Sequence, residues 1–234
     1  MTAPIPLLLL PGLTNDERVW RRTMTALGAD AEAKVGDVST HDTMTGLAQA
    51  VLARAPERFA VAGLSMGGYC ALEMLRQAPQ RIAGVALVDT SARPDTQESK
   101  ANREKQIERA RGDYPALVGE LVGKWIHPGF LHDANVAEVA RDMALQSGSE
   151  TFARQQRAIM SRADSRPLLK EIRCPAIVIA GRQDTLIPME VHEELASGIS
   201  GATLSVIDDC GHLAPLEQPA AVADALRGWL RRIG

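Results

Sequence analysis

Ser65 is the residue of this sequence whose setting best fits a nucleophile. It lies in Gly63-Leu64-Ser65-Met66-Gly67, between a predicted strand over Phe59–Leu64 and a predicted helix that begins at Met66. A serine at such a turn exposes its hydroxyl, and the Met66 amide at the helix N-terminus can donate to an oxyanion. Gly63 and Gly67 remove side chains where strand and helix approach each other. The motif predicts attack on a carbonyl carbon, although by itself it also fits a turn in which Ser65 only caps the helix.

Two downstream residues supply what a serine nucleophile needs. Asp184 follows the predicted strand Ala176–Ala180, and His212 follows the predicted strand Thr203–Ile207. The carboxyl ends of parallel strands lie at one edge of a sheet, so both side chains can converge on Ser65. We expect His212 to take the Ser65 proton and deliver it to the leaving group. Asp184 is expected to orient the imidazole and to stabilise its protonated form.

Other residues compete for these roles. Asp89 also follows a predicted strand, and Asp208 and Asp209 lie closer to His212 in the sequence than Asp184 does. Asp184 could instead be a turn residue, because aspartate is common in turns. We favour Asp184 as the acid. The remaining histidines lie in predicted loops or helices and receive no role: His41, His127, His132 and His192.

Buried strands and amphipathic helices alternate along most of the chain. Apolar runs predict strands over Ile5–Leu10, Phe59–Leu64, Ile82–Val88, Ala176–Ala180 and Thr203–Ile207, with Lys34–Val38 as a weaker sixth. Nearly continuous apolar runs are typical of strands that helices cover on both faces. Helices are predicted over Asp16–Leu27, Thr43–Arg54, Met66–Gln77, Met189–Ala196 and Ala220–Arg232. This order predicts an α/β fold with a doubly wound, mostly parallel sheet of about six strands.

One stretch breaks the alternation. Residues 91–166 contain no convincing strand but show helical spacing of apolar residues, so we expect a helical cap insertion between core segments 1–90 and 167–234. Its first part, Arg93–Arg111, is rich in charged and polar residues and is expected to be a solvated helix. Apolar insertion residues could line a substrate pocket or form the cap's own core: Trp125, Phe130, Leu131 and Met160. Arg162 and Asp164 could meet a polar substrate or each other.

Composition argues against several classes of protein. The formal net charge is −3 and no long basic run occurs, so no nucleic-acid partner is expected. No apolar stretch approaches the roughly 20 residues of a membrane helix, and Met1–Leu10 lacks the basic start of a signal peptide, so we expect no membrane association and a cytoplasmic location. Cys70, Cys174 and Cys210 are an odd number, which fits a reducing compartment. Without residues at metal-ligand spacing, neither a metal nor a cofactor is expected.

The chain resembles the α/β-hydrolase superfamily, in particular its small bacterial esterases, 3-oxoadipate enol-lactonases and cofactor-free haloperoxidase-like members. The resemblance runs nearly end to end and is carried by four segments: Leu10-Pro11-Gly12-Leu13, Gly63 to Gly68, Ala180 to Asp184 with Ile187-Pro188, and Gly211-His212 with Leu216 to Pro219. It implies the chain order serine, aspartate, histidine seen here. It also implies a second oxyanion donor, which maps onto the amide of Leu13. The sequence departs from the pattern at Pro11, where the family usually has histidine.

These observations predict hydrolysis of a small carboxylic ester or lactone through an acyl-enzyme, with a small-molecule substrate as the partner. The alternative enzyme is a hydrolase or lyase that acts on carbon–carbon or thioester bonds with the same triad. A non-catalytic ligand receptor on the same fold is a third possibility, although a receptor has no chemical need for the acid at Asp184. A halide-displacing dehalogenase is disfavoured, because that relative has aspartate where this chain has Ser65.

Overall fold

Six parallel strands form one sheet in the order β2-β1-β3-β4-β5-β6. They are β1 (Leu7–Leu10), β2 (Ala33–Val35), β3 (Phe59–Leu64), β4 (Ile82–Val88), β5 (Ala176–Gly181) and β6 (Thr203–Ile207). The computed structural model describes residues 5–233, so the ends of the predicted core segments, residues 1–4 and 234, lie outside it. The predicted fold class is confirmed. The weak sixth strand is shorter than expected, because Asp37 turns the chain by accepting from the amide of Ser39.

Ten helices surround this sheet within residues 5–233. They are α1 (Arg18–Leu27), α2 (Met44–Arg54), α3 (Met66–Gln77), α4 (Gln97–Gly112), α5 (Tyr114–Trp125), α6 (Val139–Met160), α7 (Arg166–Leu169), α8 (Met189–Gly198), α9 (Ala214–Glu217) and α10 (Pro219–Leu230). A kink at Gly148, with φ +79°, bends α6. None of these helices combines the length and the apolar composition that a membrane span requires.

Helices bury both faces of the sheet. Leu7 and Leu9 of β1 contribute to one apolar cluster, which includes Trp20 of α1. Leu8 and Leu10 contribute to a second cluster on the opposite face, because successive side chains of a strand point to opposite sides. The four inner strands, β1, β3, β4 and β5, are buried at every position, which explains their continuous apolar runs.

The order of the strands creates a crevice at the carboxyl edge. The chain moves outward from β1 to β2 and then returns to place β3 on the other side of β1. Loops after β1 and β3 therefore diverge, and ligands of open α/β sheets bind at such a point. Four non-glycine residues of the described chain have positive φ, and each lies in a loop that follows a strand at this edge: Thr14, Ser65, Asp89 and Asp209. Backbone strain of this kind is typical of functional sites.

The connection from β4 to β5 consists of helices and the loops between them and contains no strand, as the sequence predicts for this stretch. Helices α4, α5 and α6 pack against one another. Helix α4 buries Ile107 and Ala110, so the expectation of a simply solvated helix is wrong for that side. Four polar residues of α4 also border the cavity described below, where the sequence predicted contact with bulk solvent.

Candidate active site

Ser65 stands at the sharp turn between β3 and α3. Its backbone has φ +50° and ψ −112°, a strained conformation for a residue with a Cβ. The Ser65 amide donates to the carbonyl of Val88 at 2.9 Å, and its carbonyl accepts from the Thr90 hydroxyl at 2.7 Å. A Cβ at Gly63 would overlap the backbone of Gly67. The turn therefore depends on glycine for space and on the end of β4 for support.

Ser65, His212 and Asp184 meet in a chain of hydrogen bonds. The Ser65 Oγ lies 2.8 Å from His212 Nε2, and His212 Nδ1 lies 2.7 Å from Asp184 Oδ2. His212 is 5% exposed and Asp184 is 8% exposed. With the Nδ1 proton donated to Asp184, the Nε2 lone pair faces the serine hydroxyl. This arrangement can remove a proton from Ser65.

Asp89, the rival acid, has different partners. Its carboxylate accepts from the amides of Gly181 and Ala214 at 2.8 and 3.2 Å, and it makes no hydrogen bond to His212. Complete burial and repulsion by Asp184 raise the pKa of Asp89 well above its ordinary value. The carboxyl group therefore ties the end of β4 to the loop after β5 and to α9.

The other two aspartates near His212 in sequence also lie away from the ring. Asp208 pairs with Arg182 on the surface, and Asp209 is exposed. The backbone at residues 208–210 points these side chains outward, so sequence proximity to His212 does not bring contact.

Glu217 holds the histidine loop in place. Its buried carboxylate accepts from the amides of Gly211 at 2.8 Å, Leu213 at 2.9 Å and His127 at 3.0 Å. The His212 amide itself donates to the carbonyl of Trp125 at the end of α5. Because three of these bonds come from His212 and its two neighbours, the loop has little freedom. In the sequence, Glu217 belongs to a segment that carries the family resemblance, but no sequence pattern indicates this role.

The charges around His212 tune its protonation. Burial opposes the imidazolium form, but attraction and hydrogen bonding by Asp184, with further attraction by Asp89 and Glu217, outweigh burial and raise the pKa of His212. Burial likewise opposes ionisation of Asp184, yet its interactions with His212 and the amides of Leu186 and Ile187 lower the pKa of Asp184. The pair favours an ionised acid beside a basic imidazole.

Two amides near Ser65 are free to bind an oxyanion. The amide of Met66 occupies the first position of α3 and has no acceptor within its helix. The amides of Leu13 and Met66 make no hydrogen bond within residues 5–233. A ligand oxygen beside Ser65 would find two donors that carry no other bond.

Gln155 of α6 supports the loop that carries Leu13. Its Oε1 accepts from the amide of Thr14 at 2.7 Å, and its Nε2 donates to the carbonyl of Val38 at 3.1 Å. The side chain is 1% exposed. Where the family pattern has histidine before Gly12, this chain has Pro11 and anchors the loop from the helical insertion. No signal in the local sequence pointed to Gln155.

A cavity of about 330 Å³ opens over Ser65 and His212. Its apolar lining includes Leu121 and Trp125 of α5 and Ile159 of α6. Its polar lining comes from Asn15, from Gln156 and from four residues of α4, which are Ser99, Asn102, Arg103 and Gln106. The predicted pocket residue Trp125 therefore does border the cavity.

Other predicted pocket residues lie elsewhere. Phe130 falls in a turn after α5, where it packs on the core and edge-on against His127. Met160, the last residue of α6, does not border the cavity, although its neighbour Ile159 does. Leu131 is 38% exposed.

Arg162 and Asp164 do not contact each other, contrary to one of the two alternatives. Arg162 pairs with Asp95 at 2.8 Å and its guanidinium lies 4.2 Å from the ring centroid of Tyr69. Asp164 pairs with Arg166 at 2.6 Å. Neither residue borders the cavity.

His192 of α8 is a buried histidine for which the sequence predicts no role. It lies with Asp89 and Asp184 in a group whose possible ligand atoms are within 4.8 Å of one another. Both carboxylates already accept backbone hydrogen bonds, so we assign this group no metal. Burial, opposed by attraction to Asp184, lowers the pKa of His192 to about 4. The ring is therefore neutral near pH 7.

A family model described as the alpha/beta hydrolase family matches residues 7–225. Among curated proteins, 3-oxoadipate enol-lactonase 2 of Acinetobacter baylyi is 30% identical over 172 residues, which is 73% of this chain and 62% of that relative. The pimeloyl-[acyl-carrier protein] methyl ester esterase of Aromatoleum aromaticum is 27% identical over 95% of this chain and 98% of its own length.

A solved structure is also similar over nearly the full chain. The thermophilic esterase from Thermogutta terrifontis, with malate bound, superposes with a TM-score of 0.89 and 32% identity. The superposition covers 98% of this chain and 90% of that one. The likeness therefore extends beyond the sheet to the helical insertion.

Proposed function

The chain belongs to the alpha/beta hydrolase family, and from that premise we propose that it hydrolyses a small carboxylic ester or lactone through an acyl-enzyme. The observation that carries this proposal is the hydrogen-bonded chain from Ser65 through His212 to Asp184. Relatives named as an enol-lactonase and an ester esterase support the substrate class. We assign Ser65 as the nucleophile, His212 as the general base and acid, and Asp184 as the group that orients it.

Acylation begins when His212 Nε2 takes the proton from Ser65 and Oγ attacks the carbonyl carbon. The carbonyl oxygen gains negative charge and accepts hydrogen bonds from the amides of Met66 and Leu13. Collapse of this intermediate breaks the bond to the alcohol oxygen, which takes the proton from His212. For a lactone, the released alcohol stays attached to the acyl chain.

Deacylation repeats these steps with water. His212 takes a proton from the water as its oxygen attacks the acyl carbon, and the same two amides bind the second oxyanion. Ser65 then leaves with the proton held by His212, and the carboxylic acid is released. Asp184 remains ionised through both halves of the cycle, because it compensates the charge of the imidazolium.

Residues 91–166 act as a cap in this proposal, on a core made of residues 1–90 and 167–234. Support comes from α4, α5 and α6, which supply much of the cavity wall over Ser65, and from Gln155, which holds the Leu13 loop. A cap in this position shields the site from bulk solvent and selects the acyl group.

The test is product release from a panel of short-chain esters and lactones. Wild-type protein should release product, and Ser65→Ala should lower kcat by at least about 10³-fold, because the nucleophile is lost. Ser200→Ala is the matched control. Ser200 is an exposed serine between α8 and β6, so this variant should retain full activity. Equal activity of the two variants would refute the proposal.

A further inference from the structure

Helix α4 brings an unusual charge to the cavity. Arg103 borders the cavity and also donates from Nε to Asp95 Oδ2 at 2.7 Å. The Asp95 side chain is 3% exposed and binds Arg162 as well, at 2.8 Å. Two arginines therefore share one buried carboxylate. The cluster of Arg103, Asp95 and Arg162 carries a net charge of +1 that no second acid within residues 5–233 offsets.

The guanidinium of Arg103 has donors to spare. Of its five N–H groups, one on Nε and one on Nη2 bond Asp95, at 2.7 and 3.4 Å, and one on Nη1 bonds Gln156 at 2.7 Å. The remaining two, one on each terminal nitrogen, make no hydrogen bond within the described residues. Gln156 is itself fully buried and bonded to Gln106, so Arg103 is held in position. These two N–H groups can donate to an anionic ligand such as a carboxylate.

The rest of the cavity wall suits the same ligand. Arg103 and Lys124 are its only Asp, Glu, Lys or Arg residues among those described, so no negative side chain borders it. Asn15 borders the cavity at 8% exposure, and neither of its amide atoms has a hydrogen-bond partner in residues 5–233. Buried polar atoms without partners are costly, and a polar ligand would satisfy them. Ser65 and His212 border the same cavity.

We infer that the substrate is an ester or lactone that also carries a carboxylate, and that Arg103 binds this carboxylate while Ser65 attacks the ester carbonyl. This inference rests on the proposed function and specifies its substrate class. A single negative charge balances the +1 cluster, whereas a neutral acyl chain would offer no anionic acceptor to the two unbonded N–H groups of Arg103. The cavity of about 330 Å³ is large enough for a short dicarboxylic chain.

The test compares two 4-nitrophenyl esters of equal chain length. One is 4-nitrophenyl hydrogen adipate, which carries a free carboxylate, and the other is 4-nitrophenyl methyl adipate, in which that group is a methyl ester. Wild-type kcat/KM should favour the anionic ester at least tenfold. Arg103→Gln should lower kcat/KM for the anionic ester at least tenfold and leave the neutral ester within about threefold. Arg103→Lys should recover part of the preference, because it keeps the charge but not the fork.

Arg109→Gln is the matched control. Arg109 lies on the same helix, is half exposed and pairs with Glu120, so its exchange should leave the preference unchanged.

If Arg103→Gln does not fold, inhibition of wild-type protein gives the answer, since adipate should inhibit at least tenfold more strongly than hexanoate. Equal wild-type kcat/KM for the two esters, or equal loss of both in Arg103→Gln, would overturn the inference. Release of 4-nitrophenol from the neutral ester alone would overturn it while sparing the proposed function; release from neither ester would overturn both.

Discussion

Two buried aspartates lie beside His212, and hydrogen-bond partners separate their roles. Asp184 bonds the imidazole at 2.7 Å, whereas both oxygens of Asp89 accept from backbone amides. Burial and repulsion by Asp184 raise the pKa of Asp89, whereas interactions with His212 and two backbone amides lower the pKa of Asp184 despite its burial, so Asp184 ionises more readily of the two. Proximity alone would not have distinguished the two residues.

Exchange of each aspartate for asparagine tests this distinction. Asp184→Asn should lower kcat by about 10³–10⁴-fold, because the amide favours the wrong tautomer of His212. Asp89→Asn should lower kcat less than about tenfold but reduce the midpoint of thermal unfolding, because it loses an acceptor for a buried amide. Steady-state kinetics and thermal unfolding measure both effects. The opposite ranking of the two variants in kcat would make Asp89 the acid.

The pH profile tests the electrostatics of His212. Only the neutral imidazole can take the Ser65 proton, so activity should rise as pH increases through the pKa of His212. Burial lowers the pKa of His212, but Asp184, Asp89 and Glu217 outweigh burial and raise it. The acidic limb of kcat/KM should therefore have its midpoint above 6.5, the ordinary pKa of histidine. In Asp184→Asn, the limb should move to lower pH as total activity falls. If the midpoint of the acidic limb does not change in Asp184→Asn, Asp184 does not raise the pKa of His212.

The residues found by sequence share one property, which is position after a strand of the parallel sheet. Ser65, Asp184 and His212 follow β3, β5 and β6, so the topology of the sheet brings them to one edge. Gln155 is different, because it lies inside a helix 141 residues from its partner Thr14. Such a contact depends on how α6 packs, and local periodicity carries no information about it.

At the scale of elements, α6 and the loop after β1 form one unit. The amide of Thr14, with φ +55°, would be buried without an acceptor if Gln155 were absent. The next amide toward β1, that of Leu13, is the proposed oxyanion donor. The helical insertion therefore positions part of the site as well as covering it.

Gln155→Leu should disturb this unit. It removes the acceptor of Thr14 and the donor to Val38, so we expect kcat to fall about 10- to 100-fold, with little change in KM, because the oxyanion is bound only in the transition state. Affinity for a boronic acid, which mimics the tetrahedral intermediate, should fall in parallel. Gln146→Leu, on the exposed side of the same helix, is the control. A rise in KM at constant kcat would instead indicate a role in substrate binding.

Helix α4 shows where pattern reading fails. Its polar composition predicted a helix surrounded by solvent over Arg93–Arg111, and the observed helix ends one residue later but begins four residues later, at Gln97. Charged residues on one side do face solvent, but Arg103 and its neighbours line a cavity. Hydropathy cannot separate bulk water from a polar cavity, since both accept the same side chains. The α4 error comes from this limit. For Phe130 and Met160 the sequence left open a pocket or the cap's own core, because hydropathy does not separate two apolar environments, and Phe130 packs on the core.

For the molecule as a whole, the buried His192 makes the free energy of unfolding depend on pH. Burial, partly opposed by Asp184, lowers its pKa to about 4 from an ordinary 6.5. Neither ring nitrogen makes a well-aligned hydrogen bond within residues 5–233, and the carbonyl of Pro188 offers only a weak one. Between pH 6.5 and 4 the unfolded chain binds a proton that the folded chain does not, so this histidine destabilises the fold as pH falls.

Urea unfolding at two pH values measures this effect. For wild-type protein, His192 should reduce the free energy of unfolding by about 2 kcal/mol between pH 7 and pH 5. His192→Leu should remove that part of the loss and should be no less stable than wild type at pH 7, because it replaces a poorly bonded buried ring with an apolar side chain. His132→Leu, on the surface, controls for loss of a histidine. If His192→Leu loses as much unfolding free energy between pH 7 and pH 5 as wild type does, another group causes the acid sensitivity.

The central claim is that Ser65 is a nucleophile activated by His212. The most direct measurement is mass spectrometry after treatment with an alkyl fluorophosphonate, which reacts only with activated serines. We predict one adduct per chain, located on Ser65 by peptide sequencing and lost in His212→Ala, a variant that keeps the serine but removes its base. An adduct on another residue, or no adduct on the folded protein, would contradict the assignment.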